Sequence, residues 1–159
     1  MLGNLPQGMT GTIDPKRRLF IMIGRGNALF VDIGNKGVLT REELNTSGGD
    51  EIVNCAAPGL TYDSANDLIV GWCRNGSVYT LNLDTNRWTE HGTTSSRVPA
   101  DPYEIYDSPP YWGTYGRFQY VPDHNLFILY YWITENVWVY RLSDEISAPR
   151  PEPPDFVTP

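Results

Sequence analysis

The stretch LTYDSANDLIVGWCRNGSVYTLNLD, residues 60–84, decides the fold. It holds a short strand pattern, a polar turn at Asp63-Ser64-Ala65-Asn66-Asp67, a strongly apolar run opening at Leu68, an Asn75-Gly76 turn, and a third strand pattern at 78–83. Asp, Asn, Ser and Gly supply turns because their short polar side chains satisfy local amides or tolerate left-handed backbone. The run LIVGW is apolar at consecutive positions, as in a strand buried on both faces. Read together, the segment is a β-meander.

The same pattern occurs twice more, in GTIDPKRRLFIMIGRGNALFVDIG (11–34) and FQYVPDHNLFILYYWITENVWVYRLS (118–143), with starts 49 and 58 residues apart. The apolar second strands open at Leu19, Leu68 and Leu126. The third strands match without gaps: Ala28 with Val78 and Val137, Leu29 with Tyr79 and Trp138, and on to Ile33 with Leu83 and Leu142. Fourth, outer strands are expected at about 38–44 and 87–91. A four-stranded antiparallel meander repeated at this period is the blade pattern of a β-propeller. The expected fold is all-β: three four-stranded meander blades of a propeller, at about 8–45, 58–92 and 115–143. The last is incomplete, because the Pro-rich tail 144–159 is unsuited to regular pairing.

YDSANDLIVGWCRNGSVYTLNLDTNRW (62–88) resembles a kelch blade through Tyr62-Asp63, the apolar second strand, Val78-Tyr79 to Leu83-Asp84, and Thr85-Asn86 ahead of Trp88. The chain is similar to the kelch-like propeller region of galactose oxidase and related bacterial proteins. GTYGRFQYVPDHNLFILYYWITENVWVYRL (113–142) resembles the final blade of such propellers, many of them secreted. The diglycine that usually ends the second kelch strand is replaced by Gly24-Arg25-Gly26, Gly71-Trp72-Cys73 and Tyr131-Trp132-Ile133. The copper site of the family's oxidases, with its Tyr-His pair, does not carry over: the chain has no Tyr-His dipeptide, and its two histidines are His91 and His124.

Composition agrees with many short strands. Among 159 residues there are ten Tyr, five Trp, five Phe, fifteen Gly and thirteen Pro. The formal net charge of −7 opposes nucleic acid and anionic membranes, which need clustered Lys and Arg. The cluster Lys16, Arg17, Arg18 reads as a solvated turn. No apolar run approaches the roughly 20 residues of a membrane span, and the start shows no signal-peptide pattern, which leaves localisation open.

Strand parity puts both crossovers between blades, at about 45–59 and 92–115, on one face. Long loops on a rigid scaffold are where binding residues concentrate. In the second crossover Tyr103, Tyr106, Tyr111, Trp112 and Tyr115 alternate with Asp101, Glu104 and Asp107, flanked by Arg97 and Arg117. Rings stack on sugar CH groups while charged side chains take the hydroxyls, so Tyr103, Tyr106, Asp107, Tyr111, Trp112, Tyr115 and Arg117 form the candidate binding set. The alternative is that these rings cover the blade ends.

Catalytic sets are incomplete. A nucleophile needs an oriented histidine, and the two histidines fall at different radial positions. The acids of the second crossover are either a glycosidic pair or solvated loop residues. Asp63, Asn66 and Asp67 are calcium-type ligands and equally ordinary turn residues. No metal or cofactor is expected. Pairing of the first two middle strands around Ala65 brings Cys55 near Cys73, either as a disulfide or as buried thiols.

Three blades do not close a ring of four to eight. The expected function is a non-catalytic module that binds a carbohydrate or protein through its crossover face, completed by a homo-oligomer of about six blades or by further blades. The alternative is a fragment of a carbohydrate-active hydrolase or oxidase.

Overall fold

The computed structural model describes residues 7–37, 39–74, 76–92, 97–99, 113–130 and 136–142. These residues are all-β, arranged as three antiparallel meanders. Sheet 1 contains β1 (Thr10–Asp14), β2 (Leu19–Gly24), β3 (Asn27–Asp32) and β4 (Arg41–Glu43). Sheet 2 contains β5 (Gly59–Asp63), β6 (Leu68–Cys73), β7 (Ser77–Asn82) and β8 (Arg87–His91), and sheet 3 contains β9 (Phe118–Val121), β10 (Leu126–Leu129) and β11 (Trp138–Tyr140). The three second strands open at the three leucines singled out by the repeat. The tail 144–159 lies outside the described residues.

The turns explain the repeat in atomic terms. Oδ1 of Asp14 accepts the amides of Lys16 and Arg17, and Oδ1 of Asp63 accepts those of Ala65 and Asn66. Each is an Asx turn, in which a side chain replaces a backbone acceptor. Asp32 and Asn82 repeat the device between third and fourth strands. In sheet 3 the equivalent position is Val121, and a 3-10 turn over Pro122–His124 closes the hairpin instead. The residue ahead of each second strand is left-handed, at Arg18, Asp67 and Asn125, and so is a residue two or three positions before each first strand, at Gly8, Ala57 and Tyr115. These are matching positions in the three units.

β1 lies against β5, and β5 against β9. Tyr120 N donates to Thr61 Oγ1 across 3.2 Å, and Gly59 bridges Tyr115 in parallel. Between sheets 1 and 2 sits a core that includes Ile21, Ile23, Leu60, Ile69, Tyr79, Leu81 and Trp88. A second core between sheets 2 and 3 holds Val70, Trp72, Val78, Phe118, Phe127 and Leu129. β6 thus sends Ile69 to one core and Val70 and Trp72 to the other, because side chains alternate along a strand. That is the physical reason LIVGW carries no polar residue.

Three local expectations change. The outer strand of sheet 1 spans Arg41–Glu43, with all three side chains exposed. A short charged edge has little apolar surface to extend it and resists further pairing. The first crossover contains a helical turn, α1 (Asp50–Asn54), whose Ile52 is fully buried in the core between sheets 1 and 2. Ile52 fits because residue 71 is glycine: a Cβ there would stand 3.1 Å from the Ile52 side chain. The cluster Lys16, Arg17, Arg18 is not a solvated turn throughout. Arg17 spans from sheet 1 to sheet 2, donating to Asp14 (2.8 Å), to both carboxylate oxygens of Asp67 (2.8 Å each) and to Asp84 (2.7 Å).

Candidate functional site

The two ends of the stacked sheets differ in chemistry. At the end carrying the first-to-second and third-to-fourth turns, Arg17 joins Asp14, Asp67 and Asp84, and Lys16 adds a further ion pair to Asp67. Hydrogen bonds from Arg17 and Lys16 hold the Asp67 carboxyl well below its usual range, and those Arg17 makes to Asp67, Asp84 and Asp14 hold the guanidinium firmly protonated. Tyr62 donates to Asp67 Oδ1 at 2.9 Å, and burial followed by this bond pushes its phenol up to about 12. Tyr120 stands at the equivalent position of sheet 3. It donates to Asn125 Oδ1 at 2.9 Å, and burial followed by the nearby charge of Asp63 pushes it up to about 12. Asp67 is committed to cations, so this cluster acts as an inter-sheet fastening.

A pH consequence follows from the two phenols. A folded pKa raised above the ordinary value of 10.0 adds stability that is complete below pH 10 and is lost as pH rises through about 12. A tyrosinate absorbance titration is therefore expected to show a late step near pH 12, reduced by Tyr62→Phe and again by Tyr120→Phe. Titration of both phenols near 10 would refute the burial described here.

The other end carries the first crossover and the described ends of the second. α1 and the residues after it cover the β2–β3 turn: Arg25 N donates to Cys55 O and Gly26 N to Val53 O, both at 3.0 Å. Arg25 and Gly26 are both left-handed, as a two-residue hairpin of the primed type requires. Cys55 and Cys73 are bonded, with Cα atoms 6.1 Å apart, so the first crossover is tied to the end of β6. Tyr79 donates to Glu51 Oε2 at 2.6 Å and anchors the helical turn from below.

Beside this tie a cleft of about 110 Å³ opens between sheets 2 and 3. Trp72, Val78, Phe118, Phe127 and Trp138 form its apolar wall, and Arg97 and Pro99 border it from the second crossover. The indole Nε1–H of Trp138 is buried and has no acceptor among the described residues. Aromatic faces of this kind suit a compact ring.

Of the candidate binding residues, Tyr103, Tyr106, Asp107, Tyr111 and Trp112 lie outside the described residues. Tyr115 is left-handed, partly exposed, and sits at the junction with β5. Arg117 donates to the carbonyls of Gly113 and Thr114, so its guanidinium fastens the turn that begins sheet 3. The structure brings neither residue into the cleft wall. Trp72 and Trp138 are the cleft residues that sequence reasoning left in the strands; the usable signal was two tryptophans on facing strands of adjacent units.

His91 Nε2 lies 2.9 Å from Thr80 Oγ1 on sheet 2, and burial lowers its pKa below 6.5, whereas His124 lies in the β9–β10 turn of sheet 3. Asp63 serves its own turn, accepting from Ala65, Asn66 N and Asn66 Nδ2. Among the described residues no group of three His, Cys, Asp or Glu is placed to hold a metal ion, and no helix is long and apolar enough to cross a membrane.

Comparisons with protein-family models, with curated proteins and with solved structures return no match to this chain.

Proposed function

We propose that the three sheets are consecutive blades of a kelch-like β-propeller, and that the chain is a non-catalytic module binding a carbohydrate or protein ligand at its crossover end. The adjacency of β1, β5 and β9 carries the blade reading, since innermost strands gathered along one line are what radially stacked meanders produce. The cleft beside Trp72 and Trp138 carries the binding reading. It lies at the end where the first crossover packs, with Arg97 and Pro99 at its border, and loops on a rigid scaffold are where binding residues concentrate. Aromatic walls favour a sugar ring or a small side chain of a partner over a charged polymer.

An oligosaccharide array read by tryptophan fluorescence tests this. Binding is expected to quench the indoles, to fall about tenfold or more with Trp138→Phe, which removes the indole donor, and to fall with Trp112→Ala in the same crossover region. Absence of binding to glycans and peptides alike would defeat the module reading. Turnover of a polysaccharide abolished by Asp107→Asn would replace it with the hydrolase alternative.

A further inference from the structure

Two tripeptides of the chain, Asn45-Thr46-Ser47 and Asn75-Gly76-Ser77, have the form Asn-X-Ser with X other than Pro, the acceptor signal for an N-linked oligosaccharide. A pattern this short also arises by chance, so its surroundings decide whether it is used. The modifying transferase needs the tripeptide as an open segment, with the asparagine amide and the serine hydroxyl both presented.

The second tripeptide is badly placed for this. Asn75 lies outside the described residues, but the two residues after it are fixed. Gly76 is buried and left-handed, and a Cβ added there would stand 3.2 Å from Val98. The Ser77 hydroxyl donates to Glu90 Oε1 at 2.7 Å, and Cys73 on the near side of the turn is bonded to Cys55. The first tripeptide is open: Asn45 and Ser47 are exposed, between the end of β4 and the start of α1. Ser47 is held through its backbone, its N–H donating to Asn86 O and its C=O accepting from Trp88 N, both at 2.9 Å. Those partners come about 40 residues later, so during synthesis the tripeptide emerges before the strand that pins it.

The disulfide is an independent pointer. The chain's two cysteines, Cys55 and Cys73, are bonded to each other. Such bonds persist in oxidising compartments, where oligosaccharides are also transferred to asparagine. We propose that Asn45 is an N-glycosylation site. Asn45 Nδ2 forms a bond to the anomeric carbon of an oligosaccharide carried on a polyprenyl pyrophosphate. The bond from that carbon to the pyrophosphate oxygen breaks, the lipid pyrophosphate leaves with the electron pair, and Nδ2 gives up one proton. Nothing is oxidised or reduced, and this chain is the acceptor, not the catalyst. Because Asn45 is exposed, the added sugar displaces no core side chain. The proposal is independent of the blade and cleft readings above.

The test sends the full chain through a eukaryotic secretory pathway behind a fused leader and reads the intact mass of the secreted, disulfide-bonded protein. One oligosaccharide is expected, removed by a peptide-N-glycosidase that leaves aspartate at position 45. Asn45→Gln and Ser47→Ala are each expected to abolish the addition, and Asn75→Gln to leave it unchanged. Ser47→Thr keeps the hydroxyl and is expected to keep the glycan, which separates loss of the acceptor signal from a disturbed loop. Secreted protein with Cys55–Cys73 formed and no glycan, or a glycan that survives Asn45→Gln, would overturn the assignment.

Discussion

Arg17→Ala is expected to destabilise the fold by about 3 kcal/mol, more than removal of any other surface charge. The residue is only 21% exposed and holds three carboxylates from three different turns, one of which, Asp14, is fully buried. Deleting the guanidinium leaves the Asp14 charge in a low-dielectric site with its two amide donors alone, and leaves Asp67 with Lys16 and Tyr62. Breaking one side of a buried pair costs more than the pair contributes, because the remaining charge stays desolvated. Chemical denaturation of both proteins measures this directly. A loss under about 1 kcal/mol would mean that the cluster behaves as an ordinary surface ion pair.

The acid limb of the stability curve should change in the same variant. Asp67 has a folded pKa held below its ordinary 3.8, so its contribution is complete above that value and is lost as pH falls toward the folded value. Removing Arg17 removes the leading cause of that depression, so stability is expected to fall less steeply between pH 4 and the acid limit. An unchanged acid slope would place the pH dependence elsewhere.

Reduction of Cys55–Cys73 is the second large effect. The bond joins residues 18 apart, and the chain-entropy relation for a loop of that size gives about 3 kcal/mol of stabilisation. Urea unfolding with and without reductant, and of the Cys55→Ala, Cys73→Ala double variant, is expected to show this loss. A local signature accompanies it: the Arg25 and Gly26 amides, which donate to the segment tied down by Cys55, should exchange faster on reduction. Equal stability with and without reductant would show that the tie adds nothing to the fold.

Much of the architecture was legible because burial on both faces leaves an unmistakable mark. Leu68 to Cys73 has apolar neighbours on each side, so its sequence lacks alternation, and the same holds from Leu19; the run from Leu126 is equally apolar, although burial there alternates, with Phe127 and Leu129 buried. Turn positions were legible because Asp14 and Asp63 supply the same acceptor in the same place. α1 was not, since Asp50–Asn54 offers a single apolar anchor pair and its position depends on the space left by Gly71. Nor was the role of Arg17, whose partners lie 50 and 67 residues away and become neighbours only when sheets 1 and 2 stack. The cleft escaped for a related reason. Trp72 and Trp138 belong to different sheets, and no spacing rule within one unit places them together.

The stacking of the inner strands is the central claim, and a through-space proton spectrum of the labelled protein tests it most directly. The account predicts cross-peaks between the Tyr120 amide and the Thr61 side chain, and between Gly59 and Tyr115, alongside the pairing within each sheet. Intact signals within sheets 2 and 3 with none between β5 and β9 would contradict it.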